Sequence, residues 1–145
     1  MNRPSWHKHF MELAYKAAEM STCASGRKVG AVFVKDKRIL STGYNAVPSG
    51  YPHPKTCERK EQGFESGEAL DLCICLHAEI NGITNAAKHG IALEGASVYC
   101  TTKPCKMCMG SLANVGVRTV YYDENYIDPG SLVVADYARM ELKKL

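Results

Sequence analysis

Two short motifs constrain this chain more than any other feature, because their chemistry requires them to meet in space. The first is His77-Ala78-Glu79 and the second is Pro104-Cys105-Lys106-Met107-Cys108. One imidazole and two thiolates are good ligands for zinc, and catalytic zinc commonly keeps three protein ligands and an open fourth position. The motifs therefore predict zinc held by His77, Cys105 and Cys108, with Glu79 beside it to handle protons.

The same motifs predict where the site lies in the fold. Cys105 and Cys108 are three residues apart, so they share one face of a helix, and Pro104 suits the first helical position. The partial positive charge of a helix N-terminus favours thiolate over thiol. His77 is expected to open a second helix. Two helix starts would then hold one metal ion at the strand ends, where open α/β folds bind ligands.

Size and composition narrow the class of protein. A length of 145 residues predicts one domain, 1–145, and 46% hydrophobic residues allow a substantial core. The net charge of +3 is small and no basic run is present, so we expect no nucleic-acid polymer as partner. Neither a signal peptide nor a run of about 18 apolar residues is found, which predicts a cytoplasmic protein without a membrane span. Seven cysteines then indicate reduced, metal-binding thiols.

Hydrophobic periodicity predicts alternating helices and strands. Apolar residues at helical spacing predict four helices, at 10–20, 77–88, 104–116 and 132–137. Apolar runs and alternation predict five strands, at 29–34, 38–44, 98–101, 117–122 and 138–143. The first two strands form a hairpin, the last is an edge strand, and 56–71 is an unassigned candidate lid. This order predicts a three-layer α/β/α sandwich around a central mixed sheet of about five strands.

The predicted zinc centre favours one kind of reaction. Zinc lowers the pKa of bound water to about 7, and although two thiolate ligands weaken this effect, Glu79 can compensate by taking the proton. Glu79 can then pass protons to a ring nitrogen and to a leaving amine. This chemistry suits hydrolytic deamination of an amidine-like carbon such as C4 of cytosine. The His-Glu-x-x-His pattern typical of zinc peptidases is absent.

These motifs resemble those of the deoxycytidylate (dCMP) deaminases, within the zinc-dependent cytidine deaminase-like superfamily. The zinc motifs are common to the superfamily, whereas Gly43-Tyr44-Asn45-Ala46-Val47-Pro48-Ser49-Gly50 is similar to the G-Y-N-G-x-P-x-G loop of dCMP deaminases. The match spans residues 10–126. The resemblance implies conversion of dCMP to dUMP and ammonia in pyrimidine deoxynucleotide metabolism, with catalytic zinc and with Glu79 as the proton carrier.

The resemblance also implies binding residues and regulation. Asn45 would bind the substrate sugar, and Ala78 would line the same site. The family is typically homohexameric, activated by dCTP with Mg²⁺ and inhibited by dTTP. The effector would bind near Lys28, Gly43, Tyr44, Ala46 and Val47. Ala46 replaces the usual glycine, and it would be strained if this position requires a positive φ.

Two further residues are predicted to bind the nucleotide. A monophosphate needs a cation, and Arg27 in the Ser25-Gly26-Arg27-Lys28 turn is the best local choice because arginine binds phosphate bidentately. An ordinary solvated turn is the alternative. Neighbouring residues of a strand face opposite ways, so only one of Tyr121 and Tyr122 can face the site. Tyr122 is predicted to do so.

The remaining cysteines suggest a second metal site. Some dCMP deaminases carry a second, structural zinc, and Cys23, Cys57 and Cys73 or Cys75 lie in the corresponding regions. Free buried thiols are the alternative. Cys100 lies within a predicted strand and is expected in the core.

Two other functions stay open on the sequence alone. A related zinc deaminase could act on dCTP, on cytosine or on tRNA adenosine, since the zinc motifs do not exclude these substrates. A non-catalytic zinc module is the third possibility, and it predicts four protein ligands and no role for Glu79.

Overall fold

A five-stranded mixed sheet forms the centre of the computed structural model, which describes residues 2–145. The strands are β1 (Gly30–Lys35), β2 (Arg38–Tyr44), β3 (Ser97–Thr102), β4 (Thr119–Glu124) and β5 (Glu141–Lys144). Their order across the sheet is β2-β1-β3-β4-β5. β1 pairs antiparallel with β2 and β3, whereas β3, β4 and β5 run parallel. The predicted mixed sheet is confirmed.

Helices cover both faces of this sheet. The helices are α1 (Trp6–Ala18), α2 (Glu58–Glu61), α3 (Ala78–Lys88), α4 (Lys106–Asn114) and α5 (Pro129–Tyr137). α1 packs on one face, and α3, α4 and α5 share the core on the other. This arrangement confirms the three-layer α/β/α sandwich. Among residues 2–145, no helix combines the length and apolar character needed to cross a membrane.

Side chains alternate in direction along the strands and so pack into two cores, one on each face of the sheet. Val32 of β1 and Tyr99 of β3 pack toward α1, whereas their neighbours Phe33 and Val98 are fully buried in the core shared with α3, α4 and α5. Successive strand residues point to opposite faces, so apolar runs in these strands indicate burial on both sides. The motif 104–108 follows β3, which is anchored in this double core, whereas His77 follows an irregular segment and caps α3.

Two local details refine the predicted elements. The β1–β2 hairpin turns at Asp36 and Lys37, which both have positive φ (51° and 60°), although the sequence lacks the Asn-Gly pair typical of such turns. α4 begins at Lys106, with Cys105 as its N-cap in extended conformation. The prediction that Pro104 takes the first helical position is therefore wrong, because the proline lies one residue before the cap.

The segment that the sequence left unassigned is largely irregular. Between β2 and α3 it contains α2 and a 3₁₀ turn at Leu70–Leu72. At its end, Leu76 forms an isolated antiparallel bridge with Ala46. This bridge fixes the chain immediately before His77.

Gly43 sets how closely β2 approaches α3. A Cβ at Gly43 would collide with the carbonyl oxygen of Ala78 and the backbone nitrogen of Gly82. Backbone atoms cannot move aside cheaply, so we expect Gly43→Ala to destabilise the fold by about 3 kcal/mol, at the upper end of overpacking costs. Gly110→Ala is the matched control, because nothing lies near that position and alanine favours a helix by about 1 kcal/mol. Urea unfolding of both variants measures the difference, and equal stabilities would contradict this packing role.

Candidate metal centre and active site

Two helix starts bring the three predicted zinc ligands together. His77 is the N-cap of α3 and Cys105 is the N-cap of α4, while Cys108 lies in the first turn of α4. Their ligand atoms all lie within 4.8 Å of one another. His77 Nδ1 is 3.6 Å from Cys105 Sγ and 3.3 Å from Cys108 Sγ. The structure thus assembles the predicted ligand set.

The spacing of these atoms suits a tetrahedral metal ion. At usual zinc bond lengths, a nitrogen and a sulfur at two corners of a tetrahedron stand about 3.6 Å apart. The observed separations of 3.6 Å and 3.3 Å are close to this value. One imidazole and two thiols are also the donor types that zinc prefers. The residues present therefore fit zinc without rearrangement of the backbone.

Hydrogen bonding within the cluster favours the thiolate of Cys105, whereas it raises the pKa of Cys108 and of His77, two groups that must lose a proton to bind a metal. The hydrogen bond from Cys108, reinforced by His77, lowers the pKa of Cys105 to about 4, although burial opposes the shift. The hydrogen bond with Cys105 raises the pKa of His77, against the effect of burial. Cys105 is therefore available as a thiolate at neutral pH.

Glu79 lies beside the ligands with its side chain almost fully enclosed. The residue is 3% exposed, and burial raises the pKa of its carboxyl group. The charge of His77 works in the opposite direction. A carboxyl group with a raised pKa exchanges protons more readily near neutral pH. The position and environment of Glu79 suit a proton carrier.

A cavity open to solvent adjoins these residues. His77, Glu79 and Cys105 line it, as do Arg27 and Ser66. The segment 56–76 contributes further lining residues, namely Arg59, Gly67, Leu70, Cys73 and Cys75. The predicted lid segment therefore forms one side of the cavity.

Three predicted substrate residues line this cavity: Asn45, Ala78 and Arg27. Asn45 Oδ1 accepts a hydrogen bond from the backbone nitrogen of Val29, and its Nδ2 donates to the carbonyl of Arg27. The carboxamide thus joins the end of β2 to the turn that carries Arg27. Its remaining lone pair and proton leave it able to bind a ligand as well.

Tyr122 does not line the cavity, and Tyr126 takes the place predicted for it. The alternation rule correctly separates Tyr121 and Tyr122, since Tyr121 stacks on Tyr99 on the α1 side. However, β4 ends at Glu124, and the irregular chain beyond it carries Tyr126 to the cavity. Strand alternation cannot predict the direction of a side chain past the strand end.

Other lining residues were not singled out by the sequence. Thr102 and Lys103 lie at the end of β3 and line the cavity, and the buried Thr102 hydroxyl has no hydrogen-bond partner among residues 2–145. Their position directly before Pro104 is a sequence signal, because strand ends adjoin the site in this fold. Arg59 carries no such signal.

The five predicted effector residues lie outside the lining of this cavity. Gly43 packs on α3, Tyr44 accepts a hydrogen bond from Asn81, and Lys28 donates to the carbonyl of Glu19. Ala46 bridges to Leu76, and Val47 is buried. Ala46 does not adopt a positive φ, so the substitution of glycine by alanine introduces no backbone strain.

A second group of thiols forms part of the same cavity wall. The sulfur atoms of Cys23, Cys73 and Cys75 lie within 4.8 Å of one another. Although burial opposes it, hydrogen bonds from Cys75 and Ser25 lower the pKa of Cys23. Cys57 caps α2 but is not among the three clustered thiols. Cys100 is fully buried in the core, as predicted.

Comparison with known proteins agrees with this geometry. The model of the cytidine and deoxycytidylate deaminase zinc-binding region matches residues 4–124. The deoxycytidylate deaminase of Schizosaccharomyces pombe is 38% identical over 126 residues, covering 86% of this chain and 38% of that protein. The enzyme of the same name from Mycobacterium phage D29 is 37% identical over 127 residues, covering 84% and 97%. The chain thus spans less than half of the yeast relative and nearly all of the phage relative.

The fold is also that of a solved relative. The dCMP deaminase of cyanophage S-TIM5, crystallised in complex with dCMP and dUMP, superposes with a TM-score of 0.82 at 30% identity and full coverage of both chains. The matched family region includes both zinc motifs. Sequence, fold and site geometry together place this chain in the cytidine and deoxycytidylate deaminase family.

Proposed function

We propose that this protein is a zinc-dependent hydrolase that converts dCMP to dUMP and ammonia. The observation that carries the proposal is the cluster of His77, Cys105 and Cys108 beside a cavity that His77, Cys105 and Glu79 line. Relatives named deoxycytidylate deaminase and the related structure with dCMP and dUMP support this substrate. We take residues 1–145 as a single deaminase domain.

Zinc on these three ligands would supply a water molecule acidic enough to attack C4 of the base at neutral pH. Glu79 accepts the proton that the attacking water loses. The same carboxyl group passes this proton to ring nitrogen N3. It then takes the second proton from the hydroxyl group on C4 and gives it to the departing amine. The C4–N4 bond breaks, ammonia leaves, and C4 keeps the oxygen as the carbonyl of dUMP.

Other residues of the cavity orient the nucleotide. Asn45 is positioned to bind the sugar with the hydrogen-bonding capacity that its backbone contacts leave free. Ala78, fully buried, keeps the wall next to the base small. Arg27 on the cavity wall offers a guanidinium group to the phosphate. Glu79, Asn45 and Arg27 line one cavity, which is what simultaneous binding of base, sugar and phosphate requires.

A panel of substrates tests the proposal. The zinc-loaded protein is incubated with dCMP, dCTP, deoxycytidine, cytosine and a tRNA containing the target adenosine, and ammonia is measured. We expect dCMP to have the highest kcat/KM. A higher kcat/KM for dCTP, cytosine or tRNA than for dCMP would identify that compound as the substrate. Absence of turnover on every substrate would favour the non-catalytic zinc module.

We also propose that Cys23, Cys73 and Cys75 bind a second, structural zinc. The clustered sulfur atoms and the depressed pKa of Cys23 support this proposal. We expect the wild-type protein to contain two zinc ions per chain and Cys75→Ser to contain one. Cys57→Ser is the matched control and should keep two. Metal analysis by mass spectrometry measures both, and one zinc in the wild type would contradict the proposal.

The proposal extends to regulation and assembly. We propose a cytoplasmic homohexamer that is activated by dCTP with Mg²⁺ and inhibited by dTTP, with the effector near Lys28, Gly43, Tyr44, Ala46 and Val47. The similarity of the loop 43–50 to that of dCMP deaminases supports this proposal. The unstrained backbone of Ala46 supports it further.

A further inference from the structure

Two guanidinium groups face the catalytic cavity without an acidic partner. Arg27 and Arg59 both line it, and no ion pair found among residues 2–145 includes either of them. Positive charges concentrated in a cleft raise the local concentration of anions. The part of the cavity lined by Arg27 and Arg59 is thus suited to a negatively charged group.

The guanidinium group of Arg59 has a donor that lacks a hydrogen-bond partner. Its Nε atom is buried and has no hydrogen-bond partner in the described part of the chain, while its Nη1 donates only a long bond, 3.4 Å, to the carbonyl of Glu68. A buried donor without an acceptor costs free energy. An anion that enters the cavity and accepts from this guanidinium would remove that cost.

Arg27 is held at the cavity by Ser66 and Tyr126. Its Nη1 donates to Ser66 Oγ at 3.0 Å, and its guanidinium carbon lies 5.5 Å from the centre of the Tyr126 ring. Burial raises the pKa of Tyr126, and the charges of Arg27 and Arg59 both oppose that rise. Both guanidinium groups therefore lie near the same tyrosine.

A basic recess continues the cavity beyond these arginines. Ser25, Arg27, Arg59 and Ser66 line both spaces. Lys60 adds a cation to the recess, and Glu65 is its acidic lining residue. Serine hydroxyls and guanidinium groups are the donors typical of phosphate sites.

We propose that Arg59 joins Arg27 in binding the 5′-phosphate of the substrate, so that α2 selects nucleotides over nucleosides. This inference rests on the proposed deamination of dCMP. It assigns a substrate-selecting function to α2 in the segment 56–76, which forms one side of the cavity. Arg59 is a binding residue that determines substrate choice, and it takes no part in proton transfer.

The test compares substrates with and without the phosphate. We measure kcat and KM of the zinc-loaded protein for dCMP and for deoxycytidine, in the wild type and in Arg59→Ala, Arg59→Lys and Lys55→Ala. Loss of a hydrogen-bonded charge should raise KM for dCMP about 10- to 100-fold in Arg59→Ala and leave kinetics on deoxycytidine unchanged. Arg59→Lys should recover part of the loss, because lysine restores the charge without the bidentate geometry.

A control variant and a binding experiment distinguish failure of the Arg59 role from failure of the proposed deamination. Lys55→Ala removes an exposed cation that lines neither space, and it should behave as the wild type. An equal loss on dCMP and deoxycytidine, or an unchanged KM for dCMP, would overturn the role of Arg59. Calorimetry with dUMP and deoxyuridine measures binding affinity and does not require turnover. A dUMP preference that Arg59→Ala abolishes would support the phosphate site even if dCMP were not deaminated.

Discussion

Replacement of Glu79 by glutamine is expected to lower kcat for dCMP by about 10²- to 10⁴-fold, the range typical of a positioned acid–base group. Glutamine keeps the size of the side chain but cannot accept the proton of the attacking water. The enclosed position of Glu79, 3% exposed, limits replacement of its role by bulk water. Steady-state ammonia release measures the effect.

The zinc content of the variant and a matched control make this result specific. Glu79 is not among the three clustered ligands, so Glu79→Gln should retain its zinc content and its thermal stability. Glu12→Gln, an exposed change on α1 with 62% of the glutamate side chain accessible, should keep full activity. A Glu79→Gln protein that holds zinc and still turns over dCMP at the wild-type rate would refute the proton-carrier role.

Replacement of Cys108 by serine is expected to remove both catalytic zinc and activity. Cys108 supplies one of three ligands, and even changes in the residues that support ligands cost about 10- to 100-fold in metal affinity. We therefore expect a loss greater than about 100-fold in affinity. Titration with a zinc-selective chelator measures this affinity, and ammonia release measures the activity.

A second buried cysteine provides the control for this variant. Cys100→Ala changes a fully buried thiol of β3 that belongs to neither clustered group, so it should keep the wild-type affinity for catalytic zinc. Normal zinc affinity in Cys108→Ser would contradict the assigned ligand set. Equal loss in both variants would indicate a general effect of core disruption.

The periodic parts of the chain were predictable because burial leaves a repeating pattern. The double-sided cores around Val32 and Phe33 produce apolar runs, and the edge position of β5 produces alternation. Segment 56–76 has no such pattern, since α2 has only four residues and most of the segment is irregular. Its position is set by contacts with the cavity wall, which no local spacing encodes.

The residues of the candidate site also differ in how far the sequence predicts them. His77, Glu79, Cys105 and Cys108 were predictable because metal chemistry requires particular residue types at fixed spacing. The other residues that line the cavity depend on the path of loops, so Tyr126 lines it and the predicted Tyr122 does not. Likewise, Cys73 and Cys75 both join Cys23 and exclude Cys57, a choice that depends on loop conformation.

Restoration of activity by zinc is the most direct test of zinc-dependent deamination of dCMP. The protein is stripped with a chelator, zinc is added back in steps, and dUMP and ammonia formed from dCMP are both quantified. We expect the two products to appear in equal amounts and their rate of formation to rise with zinc bound at His77, Cys105 and Cys108. Formation of dUMP at the full rate in the stripped protein, or dCMP turnover without ammonia, would contradict this expectation.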